Sequence, residues 1–518
     1  MGKYLGLDSS TQSLTCCLID DKKQKIEYEQ SINFDKYFSD EYGVLNGVLT
    51  PENGIVHSPP LMWAEALDSL FTLMRLDGIN LGDIKSISGS GQQHGTVYLN
   101  KNVRKSLKAL DPESELKTQL STIFSRPTSP IWMDTSTKTQ CAEIEARVGG
   151  PACLATLTGN SAFERFSGPQ IRKFYQTEPE SYHNTSDICL VSSFIASILV
   201  GDIVGVDPGD ASGTNLMNIQ KRQWDQKALA ATAPDLLNKL QPVSNPQKPV
   251  GVINNYFCAR YGFDSNCTIL PFSGDNPSSL IGLGLVEPGR VALSLGTSDT
   301  LFACIDRPHI SPNGEGCLFA SPDGTNYMAL ICFLNGSLAR EAIRNNYHFD
   351  WQEFTQALKD TPPGNNGAII LPYFSEEITP KISTPRIVRD SLTESNSKAN
   401  IRAVVEAQAM ASKIHSEWMN VNIRSLYVTG GASTNEEILR VYADIHNCSV
   451  HRFETTNSAA LGAALRALQA NVNCDWTTAV GPYTQPVAGS TIKPRPSTSE
   501  IYNDLLKRYK ALALLNSD

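Results

Sequence analysis

Asp275 is a lone acid in the run Ser273-Gly274-Asp275-Asn276-Pro277-Ser278-Ser279, ~20 residues ahead of the small-residue turn Leu295-Gly296-Thr297-Ser298. Glycine lets backbone approach a ligand closely, and hydroxyl plus amide donors suit phosphate oxygens. A carboxylate near a phosphate-holding turn is a poor anion binder, because like charges repel. It is a sensible base for a hydroxyl that attacks phosphorus, so the two features together read as phosphoryl transfer. The turn lies between the apolar runs Val291-Ala292-Leu293 and Thr300-Leu301-Phe302, and reads as the tip of a β-hairpin.

The N-terminus carries a hairpin of the same design. Tyr4-Leu5-Gly6-Leu7 runs into Asp8-Ser9-Ser10-Thr11 and returns through Leu14 to Ile19; laid over the later copy, Asp8 to Thr11 matches Ser294 to Thr297. Either hairpin alone is an ordinary polar turn. Two of them suggest a duplicated core with a nucleotide's phosphates held between the halves. Asp8 then has the task of holding Mg²⁺, through water, on those phosphates. A third element agrees: the strand Ser425 to Val428 ends in Thr429-Gly430-Gly431-Ala432-Ser433, and a helix follows from Asn435 to about His446, with Ile438, Leu439, Tyr442 and Ile445 at helical spacing. Strand, glycines, helix is a geometry for approaching a nucleotide.

Seven segments occur in one order over roughly residues 3–470: SGSGQQHG (Ser88 to Gly95), SPIWMD (Ser129 to Asp134), FERFSGPQI (Phe163 to Ile171), DASGTNLMNI (Asp210 to Ile219), SGDNPSS (Ser273 to Ser279), SLGTSDTLF (Ser294 to Phe302) and TGGAS (Thr429 to Ser433). In these the chain resembles the sugar kinases of the FGGY family, within the actin/Hsp70/hexokinase-type ATPase superfamily, and more narrowly the eukaryotic-type xylulokinases. The resemblance implies an α/β fold of two lobes, duplicated ribonuclease H-like domains with a cleft between them. It implies ATP and Mg²⁺, and D-xylulose as the sugar. His94, Arg165, Asp275 and Asn276 would meet the sugar, with Asp275 as catalytic base on its 5-hydroxyl. Asp8, Thr11, Gly296, Thr297, Ser298, Trp351, Gly430, Gly431, Ala432 and Asn435 would serve ATP. Closure of the lobes would exclude water and so prevent waste of ATP by hydrolysis.

On residue types alone, three of these assignments have bland alternatives. His94 could be satisfied by local backbone, Arg165 could pair with Glu164, and Trp351 could be a core aromatic. Two other functions also compete. One is a different FGGY kinase, acting on ribulose, glycerol or gluconate. The other is a non-catalytic nucleotide-switch protein, against which Asp275 and the SGSGQQHG loop argue.

Around these motifs the chain alternates strands and helices. Residues 61–77 carry a helical apolar stripe, and the strand from Ile84 to Ser88 delivers Gln92, Gln93 and His94. Helices are expected over 143–148, 171–175, 337–345, 401–419 and 499–514. Segments 101–128 and 375–398 read as surface excursions. The apolar run Ile188 to Val200 reads as a buried helix, too short to span a bilayer. The boundary falls near Glu287-Pro288-Gly289, giving a sugar-binding domain at 1–288 with the first phosphate hairpin, an ATP-binding domain at 289–475, and a tail at 476–518.

The 518 residues, 41% hydrophobic and 19% charged, suit a soluble globular protein with more than one core. The net charge of −9 argues against nucleic acid or an anionic membrane as partner. None of the twelve cysteines forms a C-x-x-C pair, so neither zinc nor a disulfide framework is indicated. Cys16 and Cys17 should point to opposite faces of their strand. With a hairpin at the start instead of a basic and apolar leader, the expected location is cytoplasmic. There is no G-x-x-x-x-G-K-[ST] loop and no G-x-S-x-G elbow.

Overall fold

A computed structural model of the chain describes residues 2–311, 314–454 and 457–517. By packing, the chain divides into two units. One comprises Met1–Val286, Phe319–Tyr327 and Asn457–Thr484; the other comprises Glu287–Leu318, Met328–Thr456 and Gln485–Asp518. The linear boundary near Pro288 cannot express the two later segments that return to the first unit.

In the first unit, β1 (Lys3–Ser9), β2 (Ser13–Asp20) and β3 (Lys25–Asn33) form an antiparallel meander, and β4 (Ile84–Gly91) lies parallel to β1. β5 (Thr268–Ile269) and β6 (Ser273–Gly274) add parallel to β4, so the sheet path reads β5-β4-β1-β2-β3. Both faces of this sheet are covered, which is why β1 and β2 are nearly all apolar instead of alternating. Leu5, Leu7, Cys16 and Leu18 join a core with the helix Pro60–Leu76. Tyr4, Cys17 and Ile19 point the other way, into a core with the helix Ser458–Val472.

The second unit repeats the pattern. β7 (Arg290–Leu295) and β8 (Asp299–Ile305) form the hairpin, β9 (Tyr327–Phe333) lies beyond β8, and β10 (Ser425–Thr429) and β11 (Ser449–Arg452) continue parallel from β7. The path β9-β8-β7-β10-β11 matches that of the first sheet. Asp8 pairs with Ser90 of its parallel neighbour and Ser294 with Thr429, while the hairpin tips differ by one residue: Ser9 pairs with Leu14, but Leu295 pairs with Asp299.

Three expectations change. The run Ile188 to Val200 is a strand, Thr185–Leu190, turning into a helix, Val191–Val200. Its first half is taken up by an antiparallel partner, with Tyr98 opposite Ile188 and Val97 opposite Cys189. The Ser193 hydroxyl then accepts the Leu190 N–H at 3.0 Å and starts the helix. Segment 101–128 holds the short helices Val103–Lys108 and Leu116–Leu120, which bury Val103, Leu107, Leu116 and Leu120. Within 375–398, Arg386–Asp390 is a strand paired with Ile369–Tyr373. The C-terminal helix is Ser499–Leu515, and it buries Tyr502, Leu505, Tyr509 and Ala513 along one stripe. Among the described residues, no helix is long and apolar enough to cross a membrane.

Candidate active site

Asp275 opens the helix Asp275–Gly282 immediately after β6. Ser273 pairs with Ser90 and Gly274 with Gly91, while Ser90 pairs in turn with Asp8. The two acids therefore emerge at the same edge of the sheet, separated by two strand spacings, about 10 Å of backbone. Burial lifts the Asp275 carboxyl to about 7, with the Asp8 charge adding to it; backbone N–H groups of Asn276 and Gln93 oppose the rise. Asp8 is itself lifted to about 6 by burial, against a hydrogen bond from the Ser90 hydroxyl at 2.7 Å.

The SGSGQQHG loop leaves β4 beside these acids. Gln93 accepts a bond from the Asn276 amide at 3.2 Å, and that amide also donates to Asp275 Oδ1 at 3.0 Å. His94, with φ of 76°, is buried; its Nδ1 lies 2.7 Å from the Gly213 carbonyl. Nδ1 must donate there, which leaves Nε2 as a bare acceptor. Burial and the nearby Arg165 charge hold His94 neutral, at about 3. The backbone alternative thus accounts for one ring nitrogen and leaves the other for a ligand. Phe166 stacks on the His94 ring at 4.3 Å, and Arg165 lies over Phe163 at 5.2 Å and Phe166 at 5.9 Å. No carboxylate pairs with Arg165 among the described residues, so the Glu164 ion pair is not formed. His94 and Arg165 meet around Phe166, and Asp275 and Asn276 meet at Gln93, the residue before His94, all in the first unit.

Thr11 sits at the tip of the first hairpin. Its hydroxyl accepts from the Trp132 indole N–H at 2.9 Å and donates to Gln92 Oε1 at 3.3 Å, which uses its proton and one of its two lone pairs. Among the described residues, the Asp8 carboxylate is bonded at Oδ1 only, by Ser90. Mg²⁺ accepts one carboxylate together with waters and substrate phosphates, so this donor set fits it. Among the described residues, no group of three His, Cys, Asp or Glu side chains is arranged around a metal position.

The second unit contains an open pocket of about 1090 Å³. Gly296, Thr297, Trp351, Gly431, Ala432 and Asn435 line it; Ser298 and Gly430 adjoin it in sequence without lining it. Gly430 has φ of 85°, and a Cβ there would lie 2.5 Å from the Leu295 carbonyl, so only glycine lets the TGGAS loop rest on the hairpin. Asn435 caps the helix Glu436–His446 and also donates to Thr355 at 2.8 Å. Trp351 is 43% exposed, not a core aromatic, and the Arg344 guanidinium stacks over it at 4.4 Å. The capping box of Asp350 and Glu353 fixes the start of its helix.

Several pocket residues lie outside the sequence motifs: Gln352, Thr355, Gln356 and Lys359 share one face of the Trp351–Asp360 helix. Their signal is the spacing 351, 355, 359, visible only once Trp351 is set against a ligand. In the first unit, Asp210 is buried, with Oδ1 unpartnered and Oδ2 bonded to Ser192, and burial raises its carboxyl well above the usual range. The neighbouring Asp207 forms a buried ion pair with Arg466 at 2.7 Å and accepts from Ser273 at 2.7 Å.

Models of the FGGY family of carbohydrate kinases match this chain, the N-terminal domain over residues 128–282 and the C-terminal domain over 291–470. A xylulose kinase of Rattus norvegicus is 42% identical over 520 residues, covering 98% of this chain and 96% of its own. Among solved structures, a xylulose kinase from Rhodospirillum rubrum superposes with a TM-score of 0.83 at 18% identity, covering 99% of this chain and 98% of that one. A gluconate kinase from Lactobacillus acidophilus gives 0.80 at 21%, with the same coverage. At these identities the two structures speak for the fold alone.

Proposed function

The chain belongs to the FGGY family of carbohydrate kinases and is an ATP-dependent sugar kinase, and from this premise we propose that it converts D-xylulose to D-xylulose 5-phosphate. The substrate is inferred from the full-length likeness to xylulose kinases. The chemistry rests on one observation above the rest: Asp275, its carboxyl lifted to about 7, is bonded to the Asn276 amide, which also reaches Gln93.

Asp275 takes the proton of the sugar's primary hydroxyl as that oxygen attacks the terminal phosphorus of ATP. A base poised near working pH combines an ionised fraction with useful basicity. His94 Nε2 accepts from one sugar hydroxyl, Asn276 fixes another, and Arg165 offers its fork to further oxygens. Phosphoryl transfer has a loose transition state, so positioning and charge supply most of the rate. The amides and hydroxyls of Gly296, Thr297 and Ser298 receive phosphate oxygens. Trp351, Gly431, Ala432 and Asn435 wall the adenosine, with Gly430 holding their loop against the hairpin. Asp8 and Thr11 would carry Mg²⁺ through water, which when bound neutralises charge on the phosphates. The first unit is then the sugar side and the second the nucleotide side; the setting is cytoplasmic, without nucleic acid or membrane.

ADP release against D-xylulose, ribulose, glycerol and gluconate tests this reading, with Asp275→Asn as control. Preference for D-xylulose is expected, together with a loss of turnover of about 10²–10⁴-fold in the variant and retained ATP binding. An active Asp275→Asn enzyme removes the assigned base. Faster turnover on ribulose, glycerol or gluconate would make the chain a different FGGY kinase, and the same panel separates these readings.

A further inference from the structure

We propose that Gln408 is the positioning residue of the phosphate-binding turn, an inference that rests on reading the second-unit pocket as the nucleotide site. Gln408 lies in the middle of the helix Ser397–His415 and is buried. Its amide Nε2 donates to the carbonyls of Asn335 and Gly336, both at 2.8 Å. Its Oε1 accepts from Arg340 at 2.8 Å. A flipped amide would set an oxygen against two carbonyls and an N–H against a guanidinium, so the orientation is fixed.

Both bonded groups lead to the turn. The Ser337 N–H, next to Gly336, donates to the Gly296 carbonyl at 2.9 Å. A Cβ added to Gly336 would lie 2.7 Å from the Thr297 carbonyl and from the Asp299 amide, so the loop rests directly on the turn. On the other side, Arg340 forks onto Asp299 at 2.9 and 3.1 Å, and Asp299 is the residue that follows Ser298. Glu377 secures the same loop from outside by accepting the Leu334 and Asn335 amides at 2.7 and 3.0 Å. Gln408 therefore ties the loop that rests on the turn to the arginine that holds Asp299.

The chemistry of an amide is required there. Glutamate would attract Arg340 but repel two carbonyl oxygens, methionine would take a partner from each of three buried polar groups, and asparagine is one methylene short. None of these changes touches the adenosine walls. Loss of Gln408 should thus loosen the grip on phosphate while leaving the base and ribose contacts unchanged.

Calorimetric binding of ATP and of adenosine to the full chain tests this, with Gln408→Glu, Gln408→Met and wild type compared and folding followed by thermal melting. The expected result is a fall in ATP affinity of at least about tenfold in both variants. Adenosine affinity and the KM for D-xylulose should stay within about twofold. Equal loss of ATP and adenosine binding would overturn the proposal, as would wild-type ATP affinity in a folded variant. If neither variant folds, Gln408 serves the fold alone and the proposal also fails. Trp351→Ala keeps the premise separate: unchanged ATP affinity in that variant removes the nucleotide pocket itself, whatever Gln408 does.

Discussion

The two hairpins share strand order, and differ in tip length and in what they hold at one matched position. The first carries Asp8, bonded to Ser90; the second carries Ser294, paired with Thr429. Around the first lie ionisable groups displaced from their usual range, Asp8 at about 6 and Asp275 at about 7. At the tip of the second lie glycine and hydroxyl residues, and the nearest acid, Asp299, is neutralised by a two-pronged bond to Arg340. One scaffold thus supplies two tools: a charged edge able to take a proton and manage a cation, and an uncharged turn able to accept phosphate.

The comparison can be broken most forcefully at Asp275. Asparagine there should lower kcat by the 10²–10⁴-fold named above, with ATP still bound. Next is Asp8→Ser, which makes the first hairpin like the second. Turnover should fall by roughly 10²-fold and require more Mg²⁺ for half-maximal rate, read from a Mg²⁺ titration of ADP release. The reverse exchange, Ser294→Asp, sets a carboxylate beside the phosphate turn. At an effective dielectric constant near 20, two charges ~5 Å apart repel by about 3 kcal/mol, so the KM for ATP should rise at least about tenfold. The KM for sugar should stay as it is.

A gentler effect comes from pH. Asp275 is an acid raised from 3.8 to about 7, so its contribution to stability is full below the unfolded value and is lost as pH rises through about 7. Asp275→Asn should therefore melt higher than wild type at about pH 8 and equally near pH 4, as checked by calorimetry. The wild-type kcat/KM should climb with a midpoint near 7, because the base acts only when ionised. His94, held at about 3, should add no imidazole step to that profile.

Both hairpins, the acid and the TGGAS loop were legible in the sequence because each combines local spacing with special backbone chemistry. The duplicated sheet was legible for the same reason: two strand–turn–strand runs lie at the centre of two sheets with one strand order. What stayed hidden depends on partners far along the chain. Asp207 meets Arg466 across 259 positions, and nothing near either residue announces the other. Gln408 is a single amide in a long helix, meaningful only beside Arg340. The run from Ile188 misled because an apolar stretch has no period to separate strand from helix. The helices within 101–128 were missed because five or six residues are too few to display one.

Gly282 and Gly462 meet backbone to backbone: a Cβ on either would fall 1.9 Å from a carbonyl oxygen of the facing helix, Ser458 or Ser278. The helix that presents Asp275 is further tied down by Ser278 donating to the Ala459 carbonyl, 181 residues later. On a ribosome adding about 5–20 residues per second, that interval lasts roughly 10–35 s. Throughout it the nascent acid has its strand neighbours but not the helix that backs it. The surface that backs Asp275 is therefore completed only when the returning segment 457–484 closes over a unit begun hundreds of codons earlier.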